Sequence, residues 1–516
     1  MRSNSPKRRY LVTICVNIFK LFVGVLTTTI VPASLGPVNY GNFNFILRVV
    51  GSIRGFLNLG TPNAFFTYCS KNVQSWAAFV IFNSWIMLQL VLVMVLITVS
   101  LIGSFKDVLF PGQEIWCIFV IAVLEWMNFL SLSLIQFGEA KAESIYVQKI
   151  SFVANALKAL AFLILFQQRI LNLNTYIGAS FISALVIIPW TLWFILSKKK
   201  LYLVRLSDGR LEMKEAIKYF INYCKPLVVY EAFGLVANLF DRWFLQTIAG
   251  AVQQAYYSLA FGWSSLILLF TTSVLNVFWR ETSFAHGNND RARVKQIYMR
   301  LYDFLFFLSA FLAWFITFNA DKLLAVFVGK DYAQAQLPLI FMVFFSVYNT
   351  LGQINATFFY AVEEVVLYRN LSIVTMTGGI VLAYFFLAPR TYLIPGLGLG
   401  SKGLAIETFV LQFISSNLQL FFIARFLRVG FASFLLKQVR ILLILGALAG
   451  ATSWGIGLIS LKPLMHIIIM FILYVIAMAI GIWFRPWICG FTSIELISYK
   501  EKILGMTKTY FQRSGN

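Results

Sequence analysis

Apolar residues run along this chain in blocks of about twenty, the length of helix that crosses a bilayer core, and short polar segments separate them. Fourteen blocks read as spanning helices: residues 10–31, 39–60, 76–102, 114–136, 150–166, 176–196, 222–248, 253–279, 296–318, 337–361, 370–388, 403–424, 441–460 and 466–484. The fifth is short, and the seventh carries charges and Pro226. The start places Lys7, Arg8 and Arg9 before an apolar run, the layout of a signal peptide. Asn17 and Lys20 interrupt that run, however, and it continues to Val31 without a clear cleavage site, so a retained first helix is expected.

Composition supports the same class. The 516 residues are 60% hydrophobic and only 12% charged, with a mean hydropathy of +0.80, whereas a soluble chain is about 25% charged. A soluble multi-domain enzyme is thereby excluded. The net charge of +22 would suggest nucleic acid in a soluble protein. With the N-terminus placed in the cytoplasm, 28 basic residues fall in the inner segments and 7 in the outer ones. That asymmetry is the positive-inside pattern. It predicts fourteen spans with both termini cytoplasmic and accounts for most of the basic charge with no nucleic-acid partner. None of the five cysteines forms a CxxC pair and there are two histidines, so no disulfide framework, metal site or histidine relay is expected.

The longest inner loop, 197–221, holds seven basic residues, Lys198 and Lys218 among them. It divides the chain into an N-terminal six-helix lobe (1–196), a basic linker (197–221), a second six-helix lobe (222–424), two additional helices (425–484) and a cytoplasmic tail (485–516). Six spans return the chain to its starting side, so the lobes are expected as a parallel pseudo-repeat around a central cavity. A shift of 214 residues carries Gly36 onto Gly250 and Val38 onto Val252, at the turns that open each lobe.

Residues Val31 to Phe43 (VPASLGPVNYGNF) resemble a hallmark of the Wzx-type polysaccharide or O-antigen flippases, in the multidrug/oligosaccharidyl-lipid/polysaccharide exporter (MOP) superfamily. Leu59 to Ala64, Asp241-Arg242 and Tyr256 to Ala260 fit the same pattern, and the resemblance covers residues 1–425. It implies a two-lobed transporter in the bacterial cytoplasmic (inner) membrane. The implied substrate is an undecaprenyl-diphosphate-linked oligosaccharide for surface polysaccharide biosynthesis, moved by alternating access, with membrane lipids and other polysaccharide-assembly proteins as partners. No catalytic residue comes with it, so site residues must be argued from physics.

A charge inside a bilayer is costly and usually faces a bundle interior or a wet cavity. Asn44, Arg48, Gly51, Ser52, Gly55 and Asn58 form one polar stripe on the second span, with Arg54 to one side. Arginine binds phosphate oxygens bidentately, so Arg48 and Arg54 suit a diphosphate, although Arg54 could instead snorkel to the surface. Gly51 and Gly55 form a GxxxG pattern that permits close helix approach. On the seventh span Glu231, Asn238 and Arg242 share a face, with Asp241 beside it and Lys225 near the inner end. A structural ion network is the competing reading there. Substrate-binding candidates are therefore Arg48, Arg54, Arg242, Lys20, Lys225, Asn44 and Asn238. No nucleotide motif is present, no cofactor is expected, and an H+ or Na+ gradient is the expected energy source. Asp241, Glu231, Glu125 and Asp303 are the ion-coupling candidates, Asp303 also being placed to pair with Arg300.

Two other readings stay open at this point. An ion-coupled exporter of small cationic compounds would need a carboxylate-rich cavity, whereas the charges within the spans are mixed to basic. A membrane glycosyltransferase or polysaccharide polymerase or ligase would need a sizeable outer loop, and the outer loops are short.

Overall fold

The computed structural model describes residues 6–62, 64–65, 68, 77–100, 105–140, 144–197 and 209–484. The basic loop 198–208, Lys71 and the tail 485–516 lie outside them. The fold is all-helical, as hydrocarbon requires of a chain that must satisfy its own backbone groups. The helices are α1 (Pro6–Asn58), α2 (Ala77–Ser100), the short α3 (Phe105–Leu109), α4 (Ile115–Ala140), α5 (Ser144–Gln167), α6 (Leu173–Ser197) and α7 (Gly209–Cys224). There follow α8 (Val228–Gly287), α9 (Arg291–Phe327), α10 (Gln336–Ala361), α11 (Val365–Leu387), α12 (Gly400–Phe426), α13 (Phe431–Gly457) and α14 (Pro463–Phe484).

Every block expected to span falls on one of these helices. Among the described residues, eleven helices are long and apolar enough to cross a membrane. The first two blocks lie on α1 and the seventh and eighth on α8, and each of these helices is broken once inside. The breaks are at Gly36 (φ 71°, ψ 166°) and Gly250 (φ 79°, ψ 179°). That backbone region is open essentially only to glycine, so the faint repeat seen in the sequence marks a real conformational requirement. The seventh span starts later than expected. Pro226 has no amide hydrogen to give, and Lys225–Leu227 forms a 3-10 turn that separates α7 from α8.

The chain divides into two compact units. The first comprises Met1–Leu266, Phe327–Pro338 and Ile373–Glu407. In it α5 packs on α6 and α1, α4 on α6, and α2 on α4 and α7. The two broken helices meet at their breaks. A Cβ on Gly41 would lie 1.9 Å from the Ala251 carbonyl oxygen and 3.1 Å from the Ala255 nitrogen. The same end is held by hydrogen bonds: Tyr332 hydroxyl donates to the Pro32 carbonyl at 3.1 Å, and Tyr256 hydroxyl to the Asp331 carbonyl at 3.0 Å. Gln253 Oε1 accepts from the Ser401 amide at 3.1 Å, and Asn42 Oδ1 accepts from both Gln113 (2.9 Å) and Gln246 (3.2 Å).

The second unit comprises Ile267–Val326, Leu339–Ser372 and Thr408–Asn516. Here α13 pairs with α14 and is tied to its neighbours by polar bonds. Gln438 donates to the Tyr302 hydroxyl at 3.0 Å and to Asn417 at 2.9 Å. Asp303 pairs with Lys437 at 2.6 Å, across two helices.

Candidate functional site

The site lies within the first unit, on the two broken helices. Polar side chains on them are largely occupied by their own backbone. Thr27 donates to the Val23 carbonyl at 2.8 Å, Asn44 to Tyr40 at 2.8 Å and Asn238 to Gly234 at 2.7 Å. Such bonds satisfy a polar group locally and leave it little free capacity.

The arginines behave differently. Arg48, on the second half of α1, is exposed, and its guanidinium carbon lies 4.5 Å from the centre of the Phe261 ring. Arg242, on the first half of α8, is 7% exposed. Its guanidinium carbon lies 4.2 Å from the Tyr257 ring centre and 5.4 Å from that of Phe261, and its Nη1 donates to Ser258 Oγ at 3.4 Å. Two cations from different helices thus share one aromatic ring. Neither has a carboxylate oxygen within the 4.0 Å of an ion pair among the described residues. A ring face attracts a cation, by about 0.5–2 kcal/mol according to exposure, but does not cancel its charge. The neighbouring Asp241 keeps a buried Oδ1 with no hydrogen-bond partner.

Local sequence explains the arrangement. Tyr257 and Phe261 are four residues apart and so share a helix face. The shift of 214 residues that superposes the breaks carries Arg48 onto Gly262 and Arg242 onto Thr28. Those two small residues meet, a Cβ on Gly262 lying 3.3 Å from Thr28 Cγ2. Nearby, Trp263 Nε1 donates to the Thr28 carbonyl at 3.1 Å. The frame is therefore pseudo-symmetric while its charges are not.

The other predicted residues are placed elsewhere. Arg54 forms an ion pair with Glu125 at 2.9 Å and lies 4.8 Å from the Phe129 ring centre. Gln89, with an unpartnered Oε1, lines a cavity of about 10 Å³ together with this pair. The GxxxG pattern beside it brings no backbone close: a Cβ on Gly55 would meet nothing within 4 Å, and one on Gly51 only Glu125 Oε1, at 3.7 Å. Lys225 is exposed in the turn before α8, Asn238 is exposed, and Glu231 and Lys20 are half-buried. Asp303 belongs to the second unit. Sequence reasoning missed Phe261, Tyr257 and Ser258 as partners of the arginines. The i, i+4 aromatic spacing one helical segment after an intramembrane arginine was the available signal.

No family model matches the sequence, and no curated protein matches it. Solved structures do. Lipid II flippase MurJ, in an inward closed conformation, superposes with a TM-score of 0.64 at 14% identity, over 92% of this chain and 98% of that one. The fold is that of the MOP superfamily transporters. An inward-facing multidrug resistance MATE family transporter of that superfamily matches with a TM-score of 0.57 at 15% identity, covering 81% of this chain and 98% of that one. A MOP transporter from Pyrococcus furiosus, described as having a binding pocket of reversed polarity, matches with a TM-score of 0.55 at 15% identity over 81% and 94%.

Proposed function

We propose that this protein is a flippase that moves an undecaprenyl-diphosphate-linked oligosaccharide across the bacterial cytoplasmic membrane by alternating access. The observation that supports this reading is the pair Arg48 and Arg242, converging on Phe261 with no carboxylate in ion-pair range among the described residues. A diphosphate carries at least two negative charges and several acceptor oxygens. Two guanidiniums offer matching forked donors, and exposed Arg48 is the one a headgroup reaches first. Head and glycan cannot cross hydrocarbon alone because their polar groups would go unsatisfied. A cationic compound would be repelled by this arrangement, which disfavours the drug-exporter reading. In this scheme Arg48 and Arg242 hold the diphosphate and Asn44 borders it.

Energy coupling follows from the same placements. Glu125 and Asp303 are each held by a basic partner. Asp241 and Glu231 are in no ion pair among the described residues, so they are the carboxylates assigned to H+ or Na+.

The test is translocation in proteoliposomes of a short-chain polyprenyl-diphosphate oligosaccharide, fluorescent on its sugar, read by an outside quencher. Wild-type protein should support translocation, and Arg48→Ala and Arg242→Ala should each reduce it more than tenfold, as loss of a charged hydrogen-bond pair of about 1.5–3 kcal/mol implies. Unchanged translocation in both variants, or efflux of a cationic dye in place of lipid transport, overturns the reading.

A further inference from the structure

Helix α7 takes no part in the site above, and its two faces differ sharply. One side is fixed to the first unit. Ala216, Phe220 and Cys224 enter a buried cluster with Phe65, Phe82 and Phe137, and the Tyr219 ring centre lies 5.1 Å from that of Tyr68. These partners sit near the start of α2 and the end of α4, so α7 packs against one end of that helix bundle.

The opposite side is exposed and basic. At about 100° per residue, Lys214 and Lys218 fall about 40° apart on α7; Lys225 follows in the 3-10 turn that ends it, and all three are exposed. Ile221 lies in the same stripe and Ile217 next to it, and they are 59% and 42% exposed. A helix facing water has no use for two isoleucines there. Lysines flanking exposed aliphatics are the pattern of a helix lying in a membrane interface, where lysine stems follow the acyl boundary and ammonium groups reach phosphates. The preceding residues add Lys198, Lys199, Lys200 and Arg205 to the sequence. Glu215 is the one acid on the exposed side of α7.

We propose that α7 and the turn that follows it form a lipid-binding foot: Lys214, Lys218 and Lys225 hold the phosphate headgroups of anionic phospholipids while Ile217 and Ile221 enter the acyl boundary. This site is separate from the arginine pair and holds whatever the transported substrate is. An anionic leaflet attracts such a stripe, and the attraction falls off within a Debye length.

The experiment uses the full chain in nanodiscs of phosphatidylcholine containing phosphatidylglycerol. Trace phosphatidylglycerol with a photoreactive headgroup is crosslinked, and adducts are mapped by mass spectrometry. Adducts on the 209–225 segment should form with this probe and not with a phosphatidylcholine probe bearing the same photoreactive group. Lys214→Gln/Lys218→Gln/Lys225→Gln should cut them by about tenfold or more, as three lysines near an anionic surface imply, while adducts elsewhere on the chain persist and report an intact fold. Ile217→Ser/Ile221→Ser should also lower the yield on this segment, with the lysines retained. Equal labelling by both probes, no labelling of α7, or an unchanged yield in the triple lysine variant overturns the proposal.

Discussion

Replacing Gly41 by alanine adds one carbon, and the structure says where it goes. The new Cβ would lie 1.9 Å from the Ala251 carbonyl oxygen, 2.8 Å from its carbon and 3.1 Å from the Ala255 nitrogen. All three are backbone atoms, so no side-chain rotamer can relieve the clash. The broken helices would have to part by more than about 1 Å, and overpacking of this kind costs about 1–3 kcal/mol or more. The separation would also strain the flanking bonds from Gln246 to Asn42 and from Tyr332 to Pro32. Gly55 is the internal control. It lies on the same helix but meets nothing within 4 Å, so Gly55→Ala should be neutral or should gain up to about 1 kcal/mol of helix propensity. Intrinsic tryptophan fluorescence of the purified variants during heating, in one detergent, gives the comparison. Gly41→Ala should unfold well below wild type and Gly55→Ala at or above it. If the two variants unfold together, the helices do not meet where described and the reasoning fails.

Other expectations are similarly specific. Arg54→Ala and Glu125→Ala should each destabilise, and the double variant should lose less than their sum, with a coupling of about 0.5–3 kcal/mol in a double-mutant cycle; zero coupling would mean the 2.9 Å pair contributes nothing. Phe261→Leu keeps an apolar side chain of similar size but removes the shared ring, so it should lower stability by about 1–2 kcal/mol, and an unchanged unfolding temperature would remove the cation–ring contacts from the account. Tyr332→Phe deletes only the hydroxyl that donates to Pro32. It should cost about 1 kcal/mol and increase hydrogen exchange at the Gly36 break, and protection equal to wild type would exclude that bond as a fastening.

How much was legible in the sequence depended on how local the cause was. The spans were readable because twenty apolar residues in a row have few alternatives to a helix. Gly36 and Gly250 were readable because a positive φ leaves a glycine behind at both repeat positions. Partner choice was not readable. Helical spacing placed Asp303 near Arg300 but gave no sign of its ion pair with Lys437, 134 positions along the chain on another helix. Arg54 was read as a diphosphate candidate from its residue type, and nothing in the periodicity announced its ion pair with Glu125. The GxxxG pattern at Gly51 and Gly55 failed for the same reason. Small residues permit close approach without causing it, and the close approach occurs at Gly41, which belongs to no GxxxG pair.

The arginine pair is where these limits meet function. A helix dipeptide such as Asp241-Arg242 could have been self-neutralising, and Arg48 could have found Glu125 in place of Arg54. Instead Arg54 takes the carboxylate, and Arg48 and Arg242 are left with ring faces and one hydroxyl. Ring contacts lessen the cost of keeping a cation out of water without removing its charge. Two like charges converging on one ring also raise each other's energy. Under the proposed reading, the arrangement is least favourable when empty and improves when an anion with several acceptor oxygens joins it. Sharing a fold with both MurJ and a MATE transporter says nothing of the substrate; under that reading the sign of these few charges decides it, in favour of a phosphate-bearing ligand.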